Sequence, residues 1–468
     1  MRLGTLLSRA VSGGLLVWAA ATISMTVGAP ACQLQTADAG QTACPPGVDK
    51  CQTELTLLHT ADIHSRLLPY DLLITQVDGN LGLGTIGTVE NVGGAARMAY
   101  ILNRERARSN RSLHISGGDV FEGAPIFNFF SGEPEMRVQA ELGVDAMTLA
   151  NHEFDRGAVN VARQIQKWAD FPVLAANYVF SDPSLPTSNN LADVIKPFTV
   201  LNSGGLKVAV IGMGNLSSLT SVFNTPNSFG IKPLNSTEVA QFYVDLLRPM
   251  ADVIVIDSHM GLEVDQRIIT ETTGIDVWLG SHNHIVINPP EQISDCSADP
   301  QNPGFIWVMP PNYVIDEHKS PPSGTSTQVV KFENGAYTVD ENAAPYQLDP
   351  ASHPYQIHRL CQPRPVLLAH SGAFAKYVGR LDLVLSNDPA DIAQRSGSAG
   401  NYDPVDGFEV ISSKYQVFPV TSQVPEDPVT KSVLEPYQRQ LQRLSDLTTI
   451  AGLSPHGAKR IAPANADS

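Results

Sequence analysis

Short apolar runs recur along this chain, and each breaks off abruptly into a polar cluster. The run over 54–60, within LTLLHTADIH, ends in Asp62-Ile63-His64. On an extended backbone, side chains two apart share a side, so Asp62 and His64 can face one point beyond the strand end. Ser112–Ser116 leads in the same way to Gly117-Gly118-Asp119-Val120-Phe121-Glu122-Gly123, and 144–149 to Asn151-His152-Glu153-Phe154-Asp155. Strands over 252–257 and 276–279 deliver Ser258-His259-Met260-Gly261 and Gly280-Ser281-His282-Asn283-His284. Between these runs the periodicity predicts helices over 95–108, 133–142, 157–168, 236–248 and 263–272, with further strands over 172–175, 198–201 and 206–212. Strands alternating with helices predict an α/β architecture with ligands gathered where the strands end. The glycine-bearing stretch 65–93 and the polar stretch 181–195 read as loops. After His284 come short strands over 305–309, 327–333 and 336–340, then an irregular region over 346–410 with Pro and Gly breaks, and a last amphipathic helix over 427–446.

Composition narrows the partners. The chain has 468 residues, 43% hydrophobic and 17% charged, with a formal net charge of -16. Such an acidic balance argues against a protein that coats nucleic acid. An anionic substrate needs a local positive centre, which bound divalent cations supply. Residues 1–31 read as an export signal: Arg2 and Arg9, an apolar run from Val11 to Val27, then Ala29-Pro30-Ala31. Ser12, Gly13, Gly14, Thr22 and Ser24 interrupt that run, which is also short for a spanning helix. Cys32 follows at the position where a bacterial lipoprotein carries its lipid, although Ala29 stands where Leu is usual. Periplasm or cell surface is therefore expected, with a lipid tether through Cys32 as an open alternative to plain secretion. Of five cysteines, setting Cys32 aside leaves an even number; Cys44 with Cys51 and Cys296 with Cys361 is the natural pairing, though the sequence leaves other connectivities open. The chain then divides into a linker over 32–53, a folded domain over 54–446 and a polar tail over 447–468.

Asp62, His64, Asp119, Asn151, His259, His282 and His284 form a mixed oxygen and nitrogen set too large for the four positions of one structural zinc. It suits two metals sharing a bridging carboxylate, a clamp roughly 3.5–4 Å across that generates a hydroxide nucleophile and holds phosphoryl oxygens. The ligands are borderline to hard and admit Mn, Fe, Zn, Co or Ni.

The order D-x-H, G-D-x-x-x-G, N-H-E-x-D, H-x-G and H-x-H resembles the calcineurin-like metallophosphoesterases, particularly their secreted 5′-nucleotidase branch, across residues 54–445. The resemblance implies a four-layer α/β/β/α sandwich with metals at the strand C-terminal ends. It implies Asp62, His64 and His284 on one metal, Asn151, His259 and His282 on the other, and Asp119 between them. It also implies His152 and Asp155 as the catalytic pair, and a small phosphate ester, with nucleotides among the candidates, cleaved by a metal-bound hydroxide. Ala150 and Ser281 stand where the family usually has glycine, which matters if the backbone there needs positive φ. Full-length 5′-nucleotidases add a base-stacking domain, whereas this chain ends soon after Leu447, so nucleotide specificity is not carried over. Two alternatives share the fold: a thiosulfohydrolase-like relative acting on a sulfur substrate, and a non-catalytic, surface-tethered binding protein, which the complete ligand set argues against.

Other polar residues have plainer readings. His59 and His114, inside strands, read as core residues, and Glu122 and Glu153 as groups that orient loops. Arg97, Arg104, Arg106 and Arg108 read as a solvated helix face. Tyr70, Phe127, Phe129 and Phe130 are either core or the mouth of the site.

Overall fold

Alternate residues of the strand Leu206–Met213 enter different cores. Val208 and Val210 join one cluster, Ala209, Ile211 and Met213 another, and all are fully buried. A strand dry on both faces has to lie inside a layered fold. The computed structural model describes residues 42–180, 191–215, 231–298, 304–308, 330–333, 336–339, 357–396 and 407–450. The export segment 1–31, Cys32 and the tail beyond 450 lie outside the described residues.

One sheet has seven strands in the order Glu409–Pro419, Tyr377–Ser386, Gln52–Thr60, Ser112–Ser116, Ala146–Thr148, Val173–Leu174 and Ile195–Lys196. The other has six: Val286–Ser294, Pro365–Ser371, Val277–Gly280, Val253–Ser258, Leu206–Met213 and Phe198–Ser203. Leu55, Leu57 and Ile115 of the first pack against Val208, Val255, Leu279 and Leu367 of the second. Each such fully buried side chain contributes about 1.5–3 kcal/mol. On the outer face of the first sheet lie the helices Ala95–Arg106, Ala158–Trp168 and Pro428–Ile450; on the second, Ser236–Leu247 and Leu262–Glu271. The expected four-layer α/β/β/α sandwich is what the chain forms.

Position of the future site follows from strand direction. Gln52–Thr60, Ser112–Ser116 and Ala146–Thr148 run parallel in one sheet, and Val253–Ser258 and Val277–Gly280 run parallel in the other. Their C-terminal loops carry the polar clusters, and those loops meet.

The region 346–410 is not irregular where it is described. Pro365–Ser371 and Tyr377–Ser386 are interior strands of the two sheets, and Pro389–Ser396 is a helix. Period-two burial is evident in Tyr377–Ser386, where Leu381, Leu383 and Leu385 are buried and Arg380, Asp382 and Val384 less so. Gly379 lies within the strand, where a Cβ would stand 2.5 Å from the Tyr415 hydroxyl. The expected loop 65–93 also carries structure, a hairpin of Tyr70–Leu73 with Val89–Val92 and a short helix Gln76–Asn80. Asp78 pins it down by accepting from Lys376 Nζ and the Tyr377 hydroxyl, each at 2.8 Å. Cys44–Cys51 and Cys296–Cys361 are both disulfide-bonded. Among the described residues no helix is long and apolar enough to cross a membrane.

The arginine face is a correction. Arg97 is buried and donates to Asn91 Oδ1 at 2.9 Å, and Arg106 reaches the carbonyls of Leu142 and Gly143, closing a neighbouring helix end. Arg104 and Arg108 pair with Glu105.

Glu135 breaks the apolar pattern of its helix. Its carboxylate and the Gln139 amide, one turn on, are fully buried, with no aligned hydrogen-bond partner among the described residues. Burial pushes the Glu135 carboxyl up to about 7. The folded chain therefore holds a proton that the unfolded chain releases near pH 4.5, and stability falls as pH rises through that window. Wild type should lose on the order of 3 kcal/mol relative to Glu135→Gln between pH 4.5 and 8 in urea unfolding. Parallel pH trends in the two proteins would count against this account.

Candidate active site

Two loops build one wall. The Asp62 N–H donates to Gly118 O, His64 N–H to Asp119 O and Ser65 N–H to Val120 O, each at 3.0 Å, so the loops after the first two motif strands are zipped together. Glu153 braces the second loop, accepting from the N–H groups of Asp119, Val120 and Ala150 at 3.1, 2.8 and 2.9 Å. Its expected orienting role is what these contacts describe. The His152 N–H donates to Asp119 Oδ1 at 2.8 Å and brings the third loop over the same carboxylate.

The sequence-predicted residues converge. The ligand-capable atoms of Asp62, His64 and His284 lie within 4.8 Å of one another, and so do those of Asp119, His259 and His282. Asp119 Oδ2 is 2.8 Å from His259 Nε2 and 3.9 Å from His64 Nε2, so it touches both groups. Asn151 is buried beside His152, and its Oδ1 has no hydrogen-bond partner among the described residues. His152 Nδ1 is 2.8 Å from Asp155 Oδ2. Left-handed backbone is concentrated here: φ is 50° at Asp62 and His64, 48° at Asp119, 76° at His282 and 59° at His284. Non-glycine residues rarely adopt this conformation, and such strain collects at functional sites.

The calcineurin-like phosphoesterase family profile matches residues 55–286. Residues 55–286 belong to that family. A snake-venom 5′-nucleotidase of Crotalus adamanteus is 32% identical over 232 residues, which are 49% of this chain and 37% of that protein. The chain thus spans well under two thirds of that relative's length. A 5′-nucleotidase precursor from Thermus thermophilus superposes with a TM-score of 0.55 at 24% identity, covering 84% of this chain and 60% of that one. A sulfate thiohydrolase from Thermus thermophilus does so with a TM-score of 0.55 at 16% identity, covering 86% and 62%. At these identities both structural likenesses show the shared fold alone.

The site fits divalent cations on its own geometry. His64 Nε2 and His284 Nε2 face each other at 3.0 Å, and at least one of those nitrogens lacks a proton to share. His259 Nε2 is buried and not aligned to donate to the Asp119 oxygen beside it. Burial alone would depress the His259 pKa, but Asp119 and Asp62 drive it up to about 10, so the position favours positive charge. Divalent cations belong to the chemistry of the family, and imidazole with carboxylate is a donor set they accept.

Neither Ala150 nor Ser281 has positive φ, so the glycines they replace are not required by the backbone here. Ser281 adds a contact instead. Its buried hydroxyl lies 2.6 Å from Ser258 O and 2.8 Å from His259 Nδ1, which also sits 2.6 Å from Gly117 O. A hydroxyl that donates to Ser258 O accepts from Nδ1–H and leaves Nε2 free to ligate. Ser281→Ala should weaken metal binding roughly 10–100-fold at the His259 side, measured by calorimetric titration. Unchanged affinity would show that Gly117 O suffices.

Two residues were not anticipated. Phe374, at φ 61°, sets its ring edge-on to His284 with centroids 4.7 Å apart and lies 5.4 Å from His64, while its N–H donates to Asp62 O at 2.7 Å. It lies in the region read as irregular, and no motif marks it. Glu122, expected to orient a loop, makes no hydrogen bond to a described residue and instead stands beside His64 and His152.

Proposed function

We propose that this chain is a metal-dependent phosphoric ester hydrolase of 5′-nucleotidase-like type, exported, and acting on small phosphate esters. The observation that carries the reading is the meeting of two ligand groups, Asp62/His64/His284 and Asp119/His259/His282, with the His152–Asp155 pair at their edge. In this reading Asp62, His64 and His284 hold one metal, Asn151, His259 and His282 the other, and Asp119, near both groups, lies between. When bound, two such metals supply Lewis-acid polarisation of a phosphoryl oxygen and an activated water. The orphaned Asn151 Oδ1 supports its inclusion.

His152 moves a proton. Burial lowers its pKa, but the Asp155 hydrogen bond and the Asp119 charge raise it to about 9. Bound dications would oppose that rise. With Nδ1 tied to Asp155, Nε2 is the nitrogen left to face a leaving oxygen.

Export rests on the basic start, apolar run and small-residue site over residues 1–31, and two disulfides fit an oxidising compartment. A lipid on Cys32 would tether the chain to the membrane. Relatives named 5′-nucleotidase place nucleotides among the substrates to try. Protein reconstituted with Mn or Zn should hydrolyse at least one class among nucleotides, cyclic nucleotides, sugar phosphates and diesters, and lose that activity with chelator. Metal-loaded protein silent on all four would overturn the reading.

A further inference from the structure

Glu122 stands where the proposed chemistry has no use for it. The loop that carries it presses on the first ligand loop, since a Cβ on Gly123, at φ +100°, would stand 2.9 Å from His64 O. That approach brings the ligand-capable atoms of Glu122, His64 and His152 within 4.8 Å of one another. The His64 and His152 rings meet edge-on, with centroids 5.1 Å apart. His152 Nδ1 is engaged by Asp155, so Nε2 is the nitrogen with a free lone pair once its proton leaves. Imidazole and carboxylate from two loops, partly open to solvent, make a donor pair for a borderline cation.

We propose that Glu122 and His152, against the His64 ring, form a third cation subsite at the mouth of the centre, which zinc fills only in excess and which then inhibits. This rests on the hydrolase reading above. His64 Nε2 faces His284 at 3.0 Å and its single lone pair belongs to the inner group, so the subsite has two protein ligands, Glu122 and His152, and binds more weakly than the inner positions. A cation there takes the His152 lone pair and displaces the proton that the imidazole would deliver, so binding and turnover exclude each other. Excess metal thereby becomes a brake.

Zinc is used as the only metal throughout. Equilibrium dialysis should find two tight equivalents in the wild type and a third, weaker one, with phosphatase activity rising to the second and falling as the third binds. Glu122→Gln should keep the two tight equivalents and the activity they support, lose the third, and raise the zinc concentration for half inhibition by roughly tenfold or more. His152→Asn should also lose the third equivalent while keeping two, read by binding rather than by rate. A wild type without a third equivalent overturns the proposal and leaves the hydrolase reading standing. So does a Glu122→Gln variant inhibited by the same zinc concentration. A chain that binds no zinc at all overturns both.

Discussion

Asp119→Asn should cost both metal occupancy and rate. The side chain stands 2.8 Å from His259 Nε2 and 3.9 Å from His64 Nε2, so it lies near both ligand groups, as does Asp62, whose Oδ1 is 3.5 Å from His284 Nε2 and 3.8 Å from His259 Nε2. Burial would raise its pKa, yet His259 beside it holds the carboxyl well below the usual range, so the group is anionic. Asparagine keeps the shape and one acceptor oxygen but removes the charge that would offset two dications. The other oxygen also accepts the His152 N–H, so the third loop loosens with it. A loss of several kcal/mol of charge stabilisation corresponds to about three orders of magnitude in rate. Metal analysis after dialysis should show less than full occupancy of the pair. Full metal content with normal turnover would show that Asp119 is not shared between two ions.

The parts of this site legible in the sequence are those where ligand and strand end are neighbours in the chain. Asp62 and His64 follow an apolar run directly, as do His282 and His284, so period-two geometry and a strand-end rule suffice. The sandwich was legible for the same reason, since strand and helix periods alternate up to His284. What sequence reasoning lost lies further along. Pro365–Ser371 and Tyr377–Ser386 carry the alternation of interior strands, but the Pro and Gly around them read as breaks; only the packing of Tyr415 over Gly379 shows why glycine suits that place. Phe374 was invisible because its contacts are distant in the chain, to Asp62, His64 and His284. Glu153 and Glu122 look alike in sequence, yet one accepts from three loop N–H groups and the other stands by the histidines. Loop folding decided that difference, and no local periodicity encodes it.

His152→Asn should separate chemistry from metal binding. The residue follows Asn151 directly and opens a short helical turn, His152–Phe154, whose next residue is Asp155. That turn brings Asp155 Oδ2 to 2.8 Å from His152 Nδ1, which fixes the tautomer and favours the protonated ring. Its side chain is 31% exposed, against 5% for His64, so it is open to the solvent side of the site. On the proposed reading a group so placed would deliver a proton to the departing oxygen, a contribution typically of roughly 10²–10⁴ in rate. The size depends on the leaving group. An alkoxide needs the proton, so turnover of alkyl phosphates should fall by roughly two orders of magnitude or more. A nitrophenolate leaves without one, so aryl phosphates should suffer much less. Both inner metals should remain, because the His152 contact with Asp119 runs through the backbone N–H, which the substitution keeps. Asp155→Asn should show the same leaving-group split in weaker form, since the ring survives but loses the negative charge that favours its protonated form. Loss of an inner metal in His152→Asn, or full turnover of an alkyl phosphate, would make His152 a ligand or a loop prop rather than the acid.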